Sequence, residues 1–162
     1  MMKNVNTIFM SKGNEYAKLL NCYNGYFRDH KGIIYRSVDQ YYIKQKQEFF
    51  DPKNDHMAQY IMNSYYAEDL YRHSSTMNNY NDTIWNKNRY NIMLRGLELK
   101  FNQNEYLFTR LKDTNKNFLV YCTPYDLTWG NGICIDKSIN SNTWPGKNLL
   151  GCALMELRSN IC

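Results

Sequence analysis

Apolar positions in this chain fall first in short runs between polar turns, then in helical stripes, then in short runs again. Thr7-Ile8-Phe9-Met10 reads as a strand, closed by a Ser-Lys-Gly-Asn turn. Residues 19–23 lead into the turn dipeptide Asn24-Gly25, Tyr26-Phe27 resumes the apolar pattern, and Lys31-Gly32 turns the chain again before a strand at residues 33–35. The period then changes. Ser37 can cap a helix and Gln40 stands at the capping-box spacing, while Asp51-Pro52 ends that helix because the residue before proline is pushed out of the α region. Asn54 or Asp55 starts a second helix, with Met57, Tyr60, Ile61 and Tyr65 at three-four spacing. Residues 74–81 are polar and read as a loop. Asp82 then caps a third helix, residues 83–101, with an apolar face of Trp85, Ile92, Met93, Leu97 and Leu99 and a mild defect at Gly96. A fourth helix begins at Asn104. Residues 118–122 form the clearest strand, 123–132 a glycine-bearing loop, 133–143 an irregular excursion, and 149–158 a last helix capped by Asn148. The fold class expected is α+β: a helix-rich single domain over residues 1–162 with a small β-sheet.

One stripe in the first helix does not look like a core. Asp39 and Lys46 lie two turns apart on one face, about 10.5 Å along the axis, with Tyr42 and Ile43 between them. A carboxylate, an aromatic ring and an amine on one stripe suit the lining of a pocket. Glu48 is expected to face away from Lys46, being two residues further along.

Composition adds modest constraints. Of 162 residues 43% are hydrophobic, enough for a core, and with 15 Tyr, 7 Phe and 8 Met that core is expected to be partly aromatic. The formal charge of +5 is a mild bias towards anionic partners, with no basic run that reads as a DNA-binding arm. Abundant Asn and Lys fit an AT-rich genome such as that of a phage or other virus. Five cysteines without a C-x-x-C, and three histidines without ligand spacing, argue against a disulfide framework and against a metal site; no cofactor is expected. The polar start argues against a signal peptide and no apolar run is long enough for a membrane span, so no membrane association and a cytoplasmic location are expected (the host cytoplasm, for a viral chain).

Four segments, in order, resemble the NADAR family, also called YbiA-like. They are Leu20-Asn21-Cys22-Tyr23; Tyr35-Arg36-Ser37-Val38-Asp39-Gln40-Tyr41 with Lys46; Asp126-Leu127-Thr128-Trp129-Gly130-Asn131-Gly132; and Gly146-Lys147-Asn148-Leu149-Leu150-Gly151 continuing through Leu154-Met155-Glu156-Leu157-Arg158. The helix bearing Trp85, Arg89 and Met93 is similar to a further block. Asp39 stands where the family usually has glutamate, and Arg36 where proline is common.

The resemblance implies hydrolysis of an N-glycosidic bond. Its substrate would be ADP-ribose on the guanine amino group of DNA or RNA, with ADP-ribose as product, in an antitoxin or anti-defence role. The family's other substrate class, ribosylamino-pyrimidine phosphates of riboflavin synthesis, is an alternative, as is a non-catalytic ADP-ribose-binding module. Carried onto this chain, Lys46 is the expected nucleophile, forming an imine, and Asp39 or Asp126 the group that moves protons. In a ring-closed route a carboxylate would activate water and Lys46 would hold the sugar or phosphate. Substrate contacts are expected from Asn21, Tyr23, Tyr42, Trp85, Trp129 and Gly130. Plainer roles stand beside these: Asn21 as a turn former, Tyr23 closing a hairpin, Asp126 in an Asx turn, Trp129-Gly130 as a packed corner, Trp85 as core. Gly151, Met155 and Arg158 read as structural. A monomer is expected.

Overall fold

The computed structural model describes residues 6–161. The elements, in order, are β1 (Thr7–Met10), a 3-10 turn at Glu15–Leu19, β2 (Phe27–Arg28), β3 (Ile34–Tyr35), α1 (Val38–Phe50), α2 (Asp55–Asn63), α3 (Ala67–Ser74), α4 (Asp82–Asn102), α5 (Glu105–Lys112), β4 (Phe118–Tyr121), α6 (Ile135–Ile139) and α7 (Leu149–Ile161). The class is α+β and helix-rich, with the sheet in two two-stranded pieces, β1-β4 and β2-β3. The contacts divide the chain into two compact units: Asn24–Asn104, and the flanking segments up to Tyr23 and from Glu105 onward. No helix among the described residues is long and apolar enough to cross a membrane.

The flanking unit is built on a parallel pair, Thr7 opposite Phe118 through Met10 opposite Tyr121. Parallel strands need a long crossover, and here that crossover includes the whole of the other unit. Met10, Leu119 and Val120 are fully buried, with Leu150, Ala153 and Leu154 of α7. Asn14 caps the 3-10 turn and also donates from Nδ2 to Phe9 O at 2.7 Å. Asn148 departs from the sequence reading. It has φ 52° rather than the extended backbone of an N-cap, and its side chain reaches β4: Oδ1 accepts from Tyr121 N at 2.9 Å and Nδ2 donates to Leu119 O at 2.9 Å. Arg158, at the far end of α7, donates to Thr114 Oγ1 and Asn117 O.

The other unit is organised around α1. Ser37 caps it, accepting from Gln40 N at 3.2 Å, and the helix stops before Pro52 as its sequence dictates. The capping box is not closed in the usual way, because Gln40 Oε1 accepts from Arg36 N instead. Its Nε2 serves the end of α2, donating to Ile61 O, which Ser64 N also reaches, and to Met62 O. Asn54, not Asp55, caps α2, and Tyr65 lies beyond that helix. Gly96 is more than a tolerated defect: a Cβ there would sit 2.7 Å from Tyr41 Cδ1 and 2.9 Å from Val38 Cγ1, so its absence lets α4 approach α1. The β2-β3 hairpin closes over Asp29, which accepts from Lys31 N, Ile33 N and the Tyr35 hydroxyl.

Candidate functional site

Almost every face of α1 is buried, and its polar side chains divide between two surroundings. On one side Lys44 donates to Gln47 Oε1 and Glu48 Oε1, both at 2.9 Å, and Glu48 also pairs with Lys31. These are charges neutralised by charges, and Glu48 is spent on them, in keeping with its expected direction. The other side carries Asp39, Tyr42 and Lys46.

Asp39 is 2% exposed and accepts a hydrogen bond from the Tyr71 hydroxyl at Oδ1, 2.8 Å away. Lys46 is 7% exposed. Its amine donates to Ser74 O at 2.9 Å and lies 4.1 Å from the Tyr80 ring centre and 5.8 Å from that of Trp85. Among the described residues no carboxylate forms an ion pair with this amine. Desolvation lowers its pKa, and the Asp82 carboxylate only partly opposes that. Tyr42 and Trp85 pack with ring centres 5.0 Å apart, and Phe50 contacts both Trp85 and Tyr80. The aromatic wall that desolvates Lys46 is therefore part of the same core.

A neutral primary amine in this setting can donate one N–H to the Ser74 carbonyl and keep its lone pair. A carboxylate partner, such as Lys44 has, would instead favour the ammonium. Tyr42, Lys46 and Trp85 are thus packed together, and Asp39 lies on the same face of α1, joined to Lys46 through α3, which bonds one at Tyr71 and the other at Ser74. Tyr71, Ser74 and Tyr80 complete this lining, and sequence reasoning missed all three. Tyr71 and Ser74 stand on α3. Acidic Glu68 and Asp69 in its first turn were the available signal, but among its described side chains Leu70 is the one apolar group packed in the core.

In the flanking unit the remaining candidates lie on two segments. Asn21 is buried just after the 3-10 turn, and half-buried Tyr23 donates its N–H to Leu20 O. The second segment is the loop after β4. Asp126 Oδ1 accepts from Thr128 N and Trp129 N, both at 2.8 Å, which is the Asx-turn geometry. Trp129 is buried, and its carbonyl accepts from Leu150 N. Gly130 O accepts from Asn148 N, Asn131 O from Gly146 N, and Thr128 O from Leu149 N. A Cβ on Gly130 would collide with Thr123 Cγ2, on Gly146 with Gly130 O, and on Gly151 with Leu119 O. The third and fourth motif segments are one interlocked backbone structure, closed only where side chains are missing.

The elements define a helix-rich α+β protein. The NADAR domain model matches residues 7–162, and the chain belongs to that family. It is 44% identical over 82 residues to an N-glycosidase of Acanthamoeba polyphaga mimivirus, a match covering 49% of this chain and 48% of that one, so it aligns with about half of that relative's length. The NMR structure of the E. coli protein YbiA superposes with a TM-score of 0.75 at 22% identity, covering 97% of this chain and 86% of that one. That likeness is one of fold.

Proposed function

We propose that this protein is an N-glycosidase that removes ADP-ribose from the guanine amino group in nucleic acid, with Lys46 as nucleophile and Asp39 moving protons. Reversal of DNA ADP-ribosylation, as an antitoxin or against a host defence, is the role that fits such a reaction. Family membership and the name of the mimivirus relative support the reaction class. The observation that carries the lysine's role is a buried amine held by a backbone carbonyl and aromatic rings rather than by a carboxylate.

The chemistry balances as follows. The bond from C1 to the ring oxygen breaks; that oxygen keeps the bonding pair and takes a proton from water, to be returned when the ring closes again, and a protonated imine is left between C1 and the guanine nitrogen. The Lys46 lone pair adds to C1. A proton passes from the new ammonium to the guanine nitrogen, through Asp39, and the bond from C1 to that nitrogen breaks. Guanine leaves with its amino group restored and a lysine imine remains. Water adds to that imine, the bond from C1 to Nζ breaks, and the free aldehyde closes to ADP-ribose. Asp39 is preferred to Asp126 because it shares the face of α1 with Lys46, whereas the Oδ1 of Asp126 is fixed by two backbone N–H groups.

The test is incubation with a guanine-ADP-ribosylated oligonucleotide, followed by mass spectrometry. Release of ADP-ribose is expected, and borohydride should trap a covalent adduct only while Lys46 is present. Turnover without any trapped adduct would replace the imine with a ring-closed route; a folded protein that releases no ADP-ribose would overturn the substrate. Faster cleavage of a ribosylamino-pyrimidine phosphate would do the same.

A further inference from the structure

The segment between α2 and α3 presents two large side chains to solvent beside the lining just described. Tyr65 is 59% and Tyr66 66% exposed, and their ring centres are 5.9 Å apart at an angle of 62°. Neither ring is needed to fill the core. The Arg36 guanidinium lies 4.9 Å over the Tyr65 ring, and its Nη1 donates to Ser64 O at 3.2 Å. The cation is thereby fixed against one face of Tyr65 by the chain immediately before it. Arg36 is also the position at which the sequence departs from the family's common proline. It stands three residues before Asp39, and Tyr66 O accepts from Leu70 N at the start of α3, the helix that brings Tyr71 to Asp39. The arginine-tyrosine cluster and the lining thus share α1 and α3.

We propose that Arg36, Tyr65 and Tyr66 form a stacking platform for unpaired nucleic acid, taking bases that flank the modified guanine while Arg36 meets a backbone phosphate. Two exposed rings beside an anchored guanidinium match the interleaving of aromatic and basic groups by which single strands are bound. With the rings 5.9 Å apart and tilted at 62°, the cluster does not form a parallel sandwich for a lone adenine. Two largely exposed rings set at 62° to one another suit separate bases of a strand. The acidic residues nearby, Glu68 and Asp69, lie in the first turn of α3, and Asp69 pairs with Arg72 at 3.6 Å. Phosphate contact is therefore assigned to Arg36 and not to that helix end.

This assignment rests on the proposed reaction for its meaning, but its test does not need turnover. Binding of an unmodified single-stranded DNA oligonucleotide is measured by fluorescence anisotropy for the wild-type chain, for the double variant Tyr65→Ala/Tyr66→Ala, for Tyr65→Phe/Tyr66→Phe and for Arg36→Ala. The alanine pair should weaken binding by about tenfold or more, and the phenylalanine pair should retain it. Arg36→Ala should weaken binding and flatten its salt dependence. Equal binding by wild type and the alanine pair, or no binding by wild type, overturns the platform even if ADP-ribose is still released. On substrates, the alanine pair should raise KM for an ADP-ribosylated oligonucleotide and leave hydrolysis of ADP-ribosyl-guanosine unchanged. An equal loss on both would place the rings in the small-molecule pocket and overturn the proposal. A wild type inert on every substrate, with strand binding still lost in the alanine pair, would remove the reaction and keep the platform.

Discussion

The two units use their motif residues in opposite ways. In the unit built on β1 and β4, Asp126, Gly130, Gly146, Asn148 and Gly151 serve the backbone: they bond to main-chain groups or leave room for a carbonyl or side chain to pass. In the unit built on α1, Asp39 and Lys46 are buried ionisable side chains that meet α3 through a tyrosine hydroxyl and one terminal carbonyl, with no network of backbone bonds of the Asp126 or Asn148 kind. Burying an amine among aromatic rings is unfavourable to folding, and apolar side chains would fill the same space. On the proposed reaction, a group kept where it weakens the fold is explained by what it does to a ligand. A group that knits backbone is explained by the fold.

The sharpest way to break this contrast is Lys46→Ala, expected to lower kcat by roughly three orders of magnitude or more through loss of the nucleophile. Single-turnover assays on folded protein measure it, and residual turnover close to wild type would end the contrast at once. Asp39→Asn comes next, with a kcat loss of about 100-fold to 10,000-fold if it transfers the proton. Asp126→Asn should leave the rate per folded molecule much closer to wild type. A larger kinetic effect at Asp126 would reverse the assignment of the two carboxylates.

On the structural side, Gly151→Ala forces a methyl group onto Leu119 O and the Asn148 side chain. Overpacking of this kind costs about 1–3 kcal/mol, which should appear as a lowered midpoint in urea or heat with no specific catalytic defect in the folded fraction. The smallest effect expected is at Lys46→Met, which removes the amine and keeps the stem. Its stability at neutral pH should equal or exceed that of wild type. The sign of the pH dependence follows from the lowered pKa. An unfolded lysine holds its proton up to about 10.4, whereas the folded one releases it earlier. Between those two values the unfolded state binds more protons, so wild-type stability rises with pH and the advantage of Lys46→Met shrinks. Lysine-dependent kcat/KM should likewise rise with pH and level off below the ordinary lysine value.

Local signals carried much of the fold. Ser37 and Pro52 fix the ends of α1 from sequence alone, because a cap and a proline act on their own neighbours. The strand at residues 118–122 was equally legible, since its composition is β-branched and aromatic. What escaped was set by tertiary contact. The short helix α3 carries a stripe of only Ala67, Leu70 and Tyr71, too brief to stand out from its polar neighbours, so its half of the lining was hidden with it. Gly96 reads as a weakness until Tyr41 is seen against it, and Tyr80 reads as loop until Lys46 lies beneath its ring. Asp126 shows the opposite difficulty. Its type suggested chemistry and an Asx turn equally, and only the hydrogen bonds show how firmly the turn claims it.

The amides on β1 and β4 have a consequence for how this chain behaves in company. A parallel sheet of two strands presents a raw margin on each side, and such margins recruit strands from other molecules. Here each margin is engaged by an asparagine: Asn14 takes Phe9 O on β1, and Asn148 takes Leu119 O and Tyr121 N on β4. Each side chain stands where the peptide group of a third strand would, and neither offers a strand to continue. The sheet is terminated rather than merely short, so a chain rich in tyrosine and asparagine can be concentrated without β4 becoming a template for its neighbours.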